Sequence, residues 1–212
     1  MKIERLEIGS LRTNTYVIVD ELSGLGAVID PALYVQPLVD AIENSGMTKL
    51  QYIILTHGHS DHILGVYDLK QKYPDATIVI GTDDEICLTS TACSLADDLG
   101  IEQHPLHADK CVDDDDTFIF GSETVKVIST PGHTPGSVCY LIGNIMFSGD
   151  TLFCRTCGRT DLFRGNLVNM NESILKLGHL PGDYIVYPGH GPMTSLAVER
   201  RTNRFMRKIE WS

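Results

Sequence analysis

Apolar residues along this chain keep two rhythms, a period of two and a period near 3.6. Residues 2–8 alternate polar and apolar positions, as a strand with one buried face does. Strands are also expected at 14–20 and 25–30, with Ser23-Gly24 turning the first into the second as a hairpin. Residues 34–45 place Leu38 and Ile42 at helical spacing and stop at Gly46. Tyr52-Ile53-Ile54-Leu55 is apolar throughout, the mark of a strand buried on both faces. Ser60 or Asp61 can cap a helix reaching about Lys72, and Pro74 prevents its continuing. A strand over 77–80 then precedes a helix over 83–99, whose N-terminal end Asp83 and Asp84 suit. Strands follow at 118–120, 124–129, 137–142 and 145–148, then a helix at 167–177, a strand at 184–187 and a final helix at 195–208.

Strands and helices are interleaved, yet hairpins are frequent. The order predicts an α+β fold in which two mixed β-sheets pack face to face with helices outside, rather than one doubly wound parallel sheet. No Ser/Gly/Pro-rich linker divides the chain, so residues 1–212 read as a single domain.

Composition narrows the partners. With 212 residues, 42% hydrophobic and 21% charged, the chain can bury a substantial core without disulfides or structural metals, so a bound metal points to chemistry rather than folding. A net charge of −11 argues against nucleic acid as the partner, because phosphate binding leans on Lys and Arg. No apolar run approaches the length of a membrane span, and the N-terminus lacks the plan of a signal peptide. No membrane partner and a cytoplasmic location are therefore expected. The six cysteines, at 87, 93, 111, 139, 154 and 157, are then expected as reduced thiols, and the C-x-x-C at Cys154–Cys157 opens no helix and reads as structural. Asp113–Asp116 reads as a solvated turn before a strand.

The chemistry starts just past the buried strand, in Thr56-His57-Gly58-His59-Ser60-Asp61-His62. In extended chain, residues two apart point the same way, so His57 and His59 can face one point. Asp61 and His62, at the first turn of the next helix, can face a second point beside it. Three further strands end in tight Gly/Pro turns that carry one ligand each: His133 in Thr130–Gly136, Asp150 in Ser148–Thr151 and His190 in Tyr187–Gly191. A rigid turn holds a ligand within the narrow tolerance a metal requires.

H-x-H-x-D-H followed by His, Asp and His in glycine turns resembles the metallo-β-lactamase superfamily. The likeness runs essentially end to end and includes Thr13-Asn14-Thr15-Tyr16 and Val28-Ile29-Asp30-Pro31. It implies a four-layer αββα sandwich. It also implies a first metal site of His57, His59 and His133, a second of Asp61, His62 and His190, and Asp150 bridging them. The cofactors would be two divalent metal ions; imidazole and carboxylate suit Zn(II) first, and also Fe or Mn. Two such ions lower the pKa of a shared water from about 15.7 towards 7, and the hydroxide attacks the carbonyl or phosphoryl centre. Asp61 has two roles open to it, metal ligand and orienter of the water. Asp30 is either the partner of a ligand imidazole or a turn residue.

Within the superfamily, Asp150 stands where class B β-lactamases usually carry cysteine, and those enzymes are exported. Flavodiiron proteins carry a glutamate in the motif and a flavin domain, and the nucleases have extra arms or domains. The stretch Phe147–Phe153, continuing into Cys157-Gly158-Arg159-Thr160-Asp161-Leu162-Phe163-Arg164-Gly165, resembles instead the short, single-domain glyoxalase II-like (hydroxyacylglutathione hydrolase-like) group. The resemblance implies hydrolysis of a small-molecule thioester of the S-2-hydroxyacyl-thiol type, S-lactoylglutathione for example. Arg159 and Arg164, with Arg155 as a third candidate, would hold the thiol's carboxylate, which the guanidinium fork matches. Persulfide dioxygenases that bind one iron share the Gly158–Asp161 pattern, so that oxidation stands as an alternative. Cleavage of a lactone, another ester or a phosphodiester is another, and a non-enzymatic metal-binding module is the reading from a different class. His104, His107 and His179 fall outside the ligand set. Phe205 and Met206 face either a partner or the core, and oligomeric state is not legible.

Overall fold

A computed structural model describes residues 1–207 of the chain. The first half builds one six-stranded sheet in sequence order: β1 (Lys2–Ile8), β2 (Thr13–Val19), β3 (Leu25–Ile29), β4 (Lys49–Ile54), β5 (Thr77–Gly81) and β6 (Lys110–Val112). β1 to β3 form an antiparallel meander, and β3 to β6 run parallel. The second sheet contains β7 (Thr117–Phe120), β8 (Glu123–Ser129), β9 (Val138–Ile142), β10 (Ile145–Gly149), β13 (Ile185–Pro188) and β14 (Thr194–Ser195), with a small separate ribbon of β11 (Leu152–Phe153) and β12 (Thr156–Cys157). β10 and β13 are its parallel pair.

Alternation along the strands produces the layers. Tyr16, Ile18, Ile29, Ile54, Val79, Val127, Tyr140 and Phe147 fill the space between the two sheets. Their neighbours Val17, Val28, Ile53 and Ile78 face outward, under α1 (Gln36–Asn44) and α3 (Val66–Lys72). Cys139, Leu141 and Met146 of the second sheet likewise pack beneath α6 (Leu167–Gly178) and α7 (Leu196–Thr202). Because both faces of the central strands are covered, their segments read as continuous apolar runs. Each such side chain contributes roughly 1.5–3 kcal/mol on burial. The αββα sandwich expected from the sequence is the observed fold. Met206 is buried in this third cluster with Phe205 packed against it, so both belong to the core.

Three expected helices are broken, each by a tertiary hydrogen bond or a cap that outweighs the apolar period. The helix over 60–72 is two, α2 (Ser60–Ile63) and α3, because the Gly65 amide leaves the helix to bond the Pro31 carbonyl at 2.8 Å. The helix over 83–99 is a 3₁₀ helix (Thr82–Leu88) followed by α4 (Thr91–Ser94), capped by Ser90, and α5 (Ala96–Leu99) beyond a left-handed Leu95. The final helix stops at Asn203, whose amide bonds Glu199 and the Thr156 carbonyl, and resumes as α8 (Arg204–Arg207); residue 208 of that expectation lies outside the described residues. The cysteine expectation is corrected too: the turn between the 3₁₀ helix and α4 brings Cys87 and Cys93 together as a disulfide, with Cα atoms 4.8 Å apart, while 111, 139, 154 and 157 are free. Among the described residues, no helix is long and apolar enough to cross a membrane.

Candidate metal centre

All seven candidate ligands lie past the C-terminal ends of four strands, where the two sheets meet. β4 delivers His57 to His62, β8 leads to His133, β10 to Asp150 and β13 to His190. The ligand atoms of His57, His59 and His133 converge within 4.8 Å of one another, and so do those of Asp61, His62 and His190. Asp150 lies between the groups, 3.4 Å from His133 Nε2 and 3.5 Å from both His62 Nε2 and His190 Nε2. Gly189 packs against it so closely that any Cβ there would collide with Asp150 and His62.

The donor set fits metal ions on three observations. First, His57 Nε2 and Asp150 Oδ1 are buried without a hydrogen-bond partner; such atoms are costly unless something binds them. Second, the spacing is right. Around a tetrahedral Zn–N centre, neighbouring ligand atoms stand about 3.3 Å apart. In the second group His62–His190, His190–Asp61 and His62–Asp61 are 3.4, 3.3 and 3.5 Å apart. Third, outer contacts turn the ligand nitrogens inward. His133 Nδ1 donates to the Arg159 carbonyl at 2.7 Å and His190 Nδ1 to the Leu11 carbonyl at 3.2 Å. His62 Nδ1 donates to Asp30 at 2.9 Å. The Thr56 hydroxyl donates to Asp30 and so accepts from His57 Nδ1. Each leaves Nε2 aimed at the centre. His59 presents Nδ1, which lies 2.8 Å from His133 Nε2, two lone pairs that a cation would reconcile.

Electrostatics divide the two groups. Burial, then the neighbouring imidazoles, push His57 well below its usual range; burial and His133 push His59 down to about 3. Burial opposes charge on His62 and His190 as well, yet the carboxylates prevail and raise them to about 9 and about 10. The same pairing holds Asp61 and Asp150 below the ordinary carboxylate range despite burial. Thr13 adds a 2.7 Å hydrogen bond to Asp61.

Asp30 is thus the partner of an imidazole rather than a plain turn residue, serving His62 directly and His57 through Thr56. The arginines are placed less directly. Arg159 contributes its carbonyl to His133 while its guanidinium forks onto Asp161 at 2.7 and 2.8 Å, both side chains exposed. Arg164 engages Cys93 Sγ and the Asp83 carbonyl, and Arg155 donates its backbone amide to Glu199. Sequence reasoning missed Arg12, which with Arg5, Leu11 and Pro192 lines a cleft of about 350 Å³ against His190. It also missed Asp84, fully buried beneath the ligand turns. Burial pushes that carboxyl up; three donors oppose the shift, and all of them point at its oxygens, which the carboxylate form satisfies. The sequence offered no sign of either beyond a charge beside a strand end.

A four-layer sandwich with this ligand cluster at its strand ends defines a metal-dependent hydrolase. The chain belongs to the metallo-beta-lactamase superfamily, whose family model matches residues 8–190. It is 37% identical to the hydroxyacylglutathione hydrolase of Bartonella henselae, over 82% of this chain but only 61% of that protein. Among solved structures, the BLEG-1 B3 metallo-beta-lactamase superposes with a TM-score of 0.89 at 30% identity, covering 97% of this chain and 99% of that one. TTHA1623 in a di-iron-bound form gives 0.82 at 29% identity, covering 95% and 99%.

Proposed function

We propose that this metallo-hydrolase cleaves thioesters of small S-2-hydroxyacyl thiols, with S-lactoylglutathione as the model substrate. The observation that carries the reading is the complete set of two converging ligand groups with Asp150 between them, in a chain similar to hydroxyacylglutathione hydrolases. Two divalent ions held by His57, His59 and His133 and by Asp61, His62 and His190, with Asp150 shared, would supply the acidified water and polarise the carbonyl. The chain's own residues do the positioning. Asp61, fixed by Thr13, orients the water from the solvent side of the centre. Arg12 on the β1–β2 turn, now forked onto Glu7 at 2.9 and 2.6 Å, can exchange that exposed pairing for a thiol's carboxylate in the cleft beside His190. Arg159 offers a second guanidinium, since an exposed pair such as Arg159–Asp161 is worth only about 0–1 kcal/mol and exchanges readily. Arg164 acts indirectly, anchoring the substrate loop to the 3₁₀ helix. A zinc pair is the expected metal; the di-iron form of TTHA1623 makes iron the alternative.

A second reading, β-lactam hydrolysis, is favoured by the full-length likeness to BLEG-1. The deciding experiment is metal analysis of the purified chain with paired assays on S-lactoylglutathione and a chromogenic cephalosporin. Thioester turnover with two ions bound is the expected result. Cephalosporin cleavage without thioester turnover would replace the first reading by the second. A single iron with oxygen uptake on a thiol persulfide would replace both.

A further inference from the structure

The first-site ligands come from turns on different sheets: His57-Gly58-His59 follows β4, and His133 follows β8. One side chain ties these turns together. Asp84, on the 3₁₀ helix, is completely buried. Its Oδ2 accepts from the Gly58 amide at 2.9 Å and the Thr134 hydroxyl at 2.6 Å, and its Oδ1 accepts from the Gly136 amide at 2.9 Å. Gly58 separates His57 from His59, and Thr134 adjoins His133. Gly136 has to be glycine for this approach, since a Cβ there would lie 2.7 Å from the Asp84 carboxyl carbon.

We propose that Asp84 is the positioning residue of the first metal site, setting the distance between the His57–His59 pair and His133 by bonding to both turns at once. The assignment rests on the metal-centre reading given above. It is specific to one site, because the second is braced elsewhere: Thr13 bonds Asp61, and the Leu11 carbonyl takes His190. Neither bond involves Asp84. A carboxylate can accept all three hydrogen bonds with two oxygens. Asparagine has one acceptor oxygen, so Asp84→Asn leaves either the Gly58 or the Gly136 amide facing an NH₂ group. A buried amide without an acceptor relaxes by moving its turn, and metal ligands tolerate little movement.

The test is metal affinity, read independently of catalysis. Wild type and Asp84→Asn are loaded with Zn(II), equilibrated against a competing chelator and assayed for bound metal; Co(II)-substituted samples report the ligand field by absorption. Asp84→Asn is expected to weaken one of the two ions by about 10–100-fold, the usual cost of losing an outer partner of a ligand, and to leave the other unchanged. Combined with His59→Ala it adds no further metal loss; combined with His190→Ala it leaves both ions weakened. Thr134→Val removes one of the three donors and shifts the same ion in the same direction by a smaller factor. It decides the matter if Asp84→Asn does not fold. Variants that keep both ions at wild-type affinity, or lose both in parallel, overturn the assignment. A wild-type chain that binds no ion overturns the metal centre as well, whereas failure to cleave thioester touches only the substrate reading.

Discussion

His57, His59 and His133 are each no more than 3% exposed, while Asp61 and His190 of the second group keep 19% and 27% of their side chains open to solvent. The first group is three imidazoles, two of them driven by burial to the neutral form. The second mixes imidazoles with carboxylates that hold His62 and His190 high. Two neighbouring sites thus meet a cation in opposite states. At neutral pH, His57 and His59 already have free lone pairs, whereas His62 and His190 carry protons that a cation must displace. The comparison teaches that ligand identity alone does not set how a site loads; burial and the nearest carboxylates do.

The sharpest way to break the comparison is to remove what the sites share. Asp150→Ala takes the carboxylate from both, and hydrolytic turnover is expected to fall by on the order of 10³-fold, read as kcat on S-lactoylglutathione. Retained turnover would end the metal-centred account. Thr13→Val deletes only the donor to Asp61, so the second ion should weaken by about 10–100-fold in chelator competition while the first holds; equal weakening of both would erase the distinction between the sites.

Acidity gives a third probe, in the metal-free chain. His59 titrates near 3 when folded and about 6.5 when unfolded, so stability rises with pH across that window. His62 and His190, raised to about 9 and about 10, contribute stability that is fully present below about 6.5 and is lost as pH rises through those values. The melting temperature of chelator-treated protein should therefore peak near pH 6.5, and a profile still climbing at pH 9 would contradict the assigned charges. The smallest effect concerns the arginines. Arg12→Ala and Arg159→Ala should each raise KM several-fold at most with kcat unchanged, because each guanidinium must first leave a carboxylate, Glu7 or Asp161.

The ligand set was legible because metals demand histidine and carboxylate at fixed points, and strand ends supply those points in glycine-bearing turns. The layered fold was legible because strands buried on both faces show it as unbroken apolar runs such as Tyr52–Leu55. What holds the ligands was largely hidden. The Leu11 and Arg159 carbonyls act through the backbone, which leaves no trace in residue type. Asp84 looked like an ordinary residue near a helix start, since its three partners lie 26 to 52 positions away. The helix expected over 83–99 failed for a related reason. Its apolar spacing is real, but Ser90 caps a new helix there and Leu95 takes a left-handed conformation, so the period is honoured in pieces.

The contacts of the Pro188–His190 turn bear on how the molecule is made. That turn bonds the start of the chain at four places: the Asn14 amide to Gly189, the Asn14 side chain and the Tyr16 hydroxyl to Pro188, and His190 to Leu11, 179 positions away. Synthesis runs from the N-terminus, so His57, His59 and His133 emerge from the ribosome well before His190. The imidazoles of one site can gather around an ion while the β1–β2 hairpin still waits for its late partner. Closing so long a loop is slow relative to local pairing. Chain order therefore completes the ligands of the first site before the last ligand of the second exists.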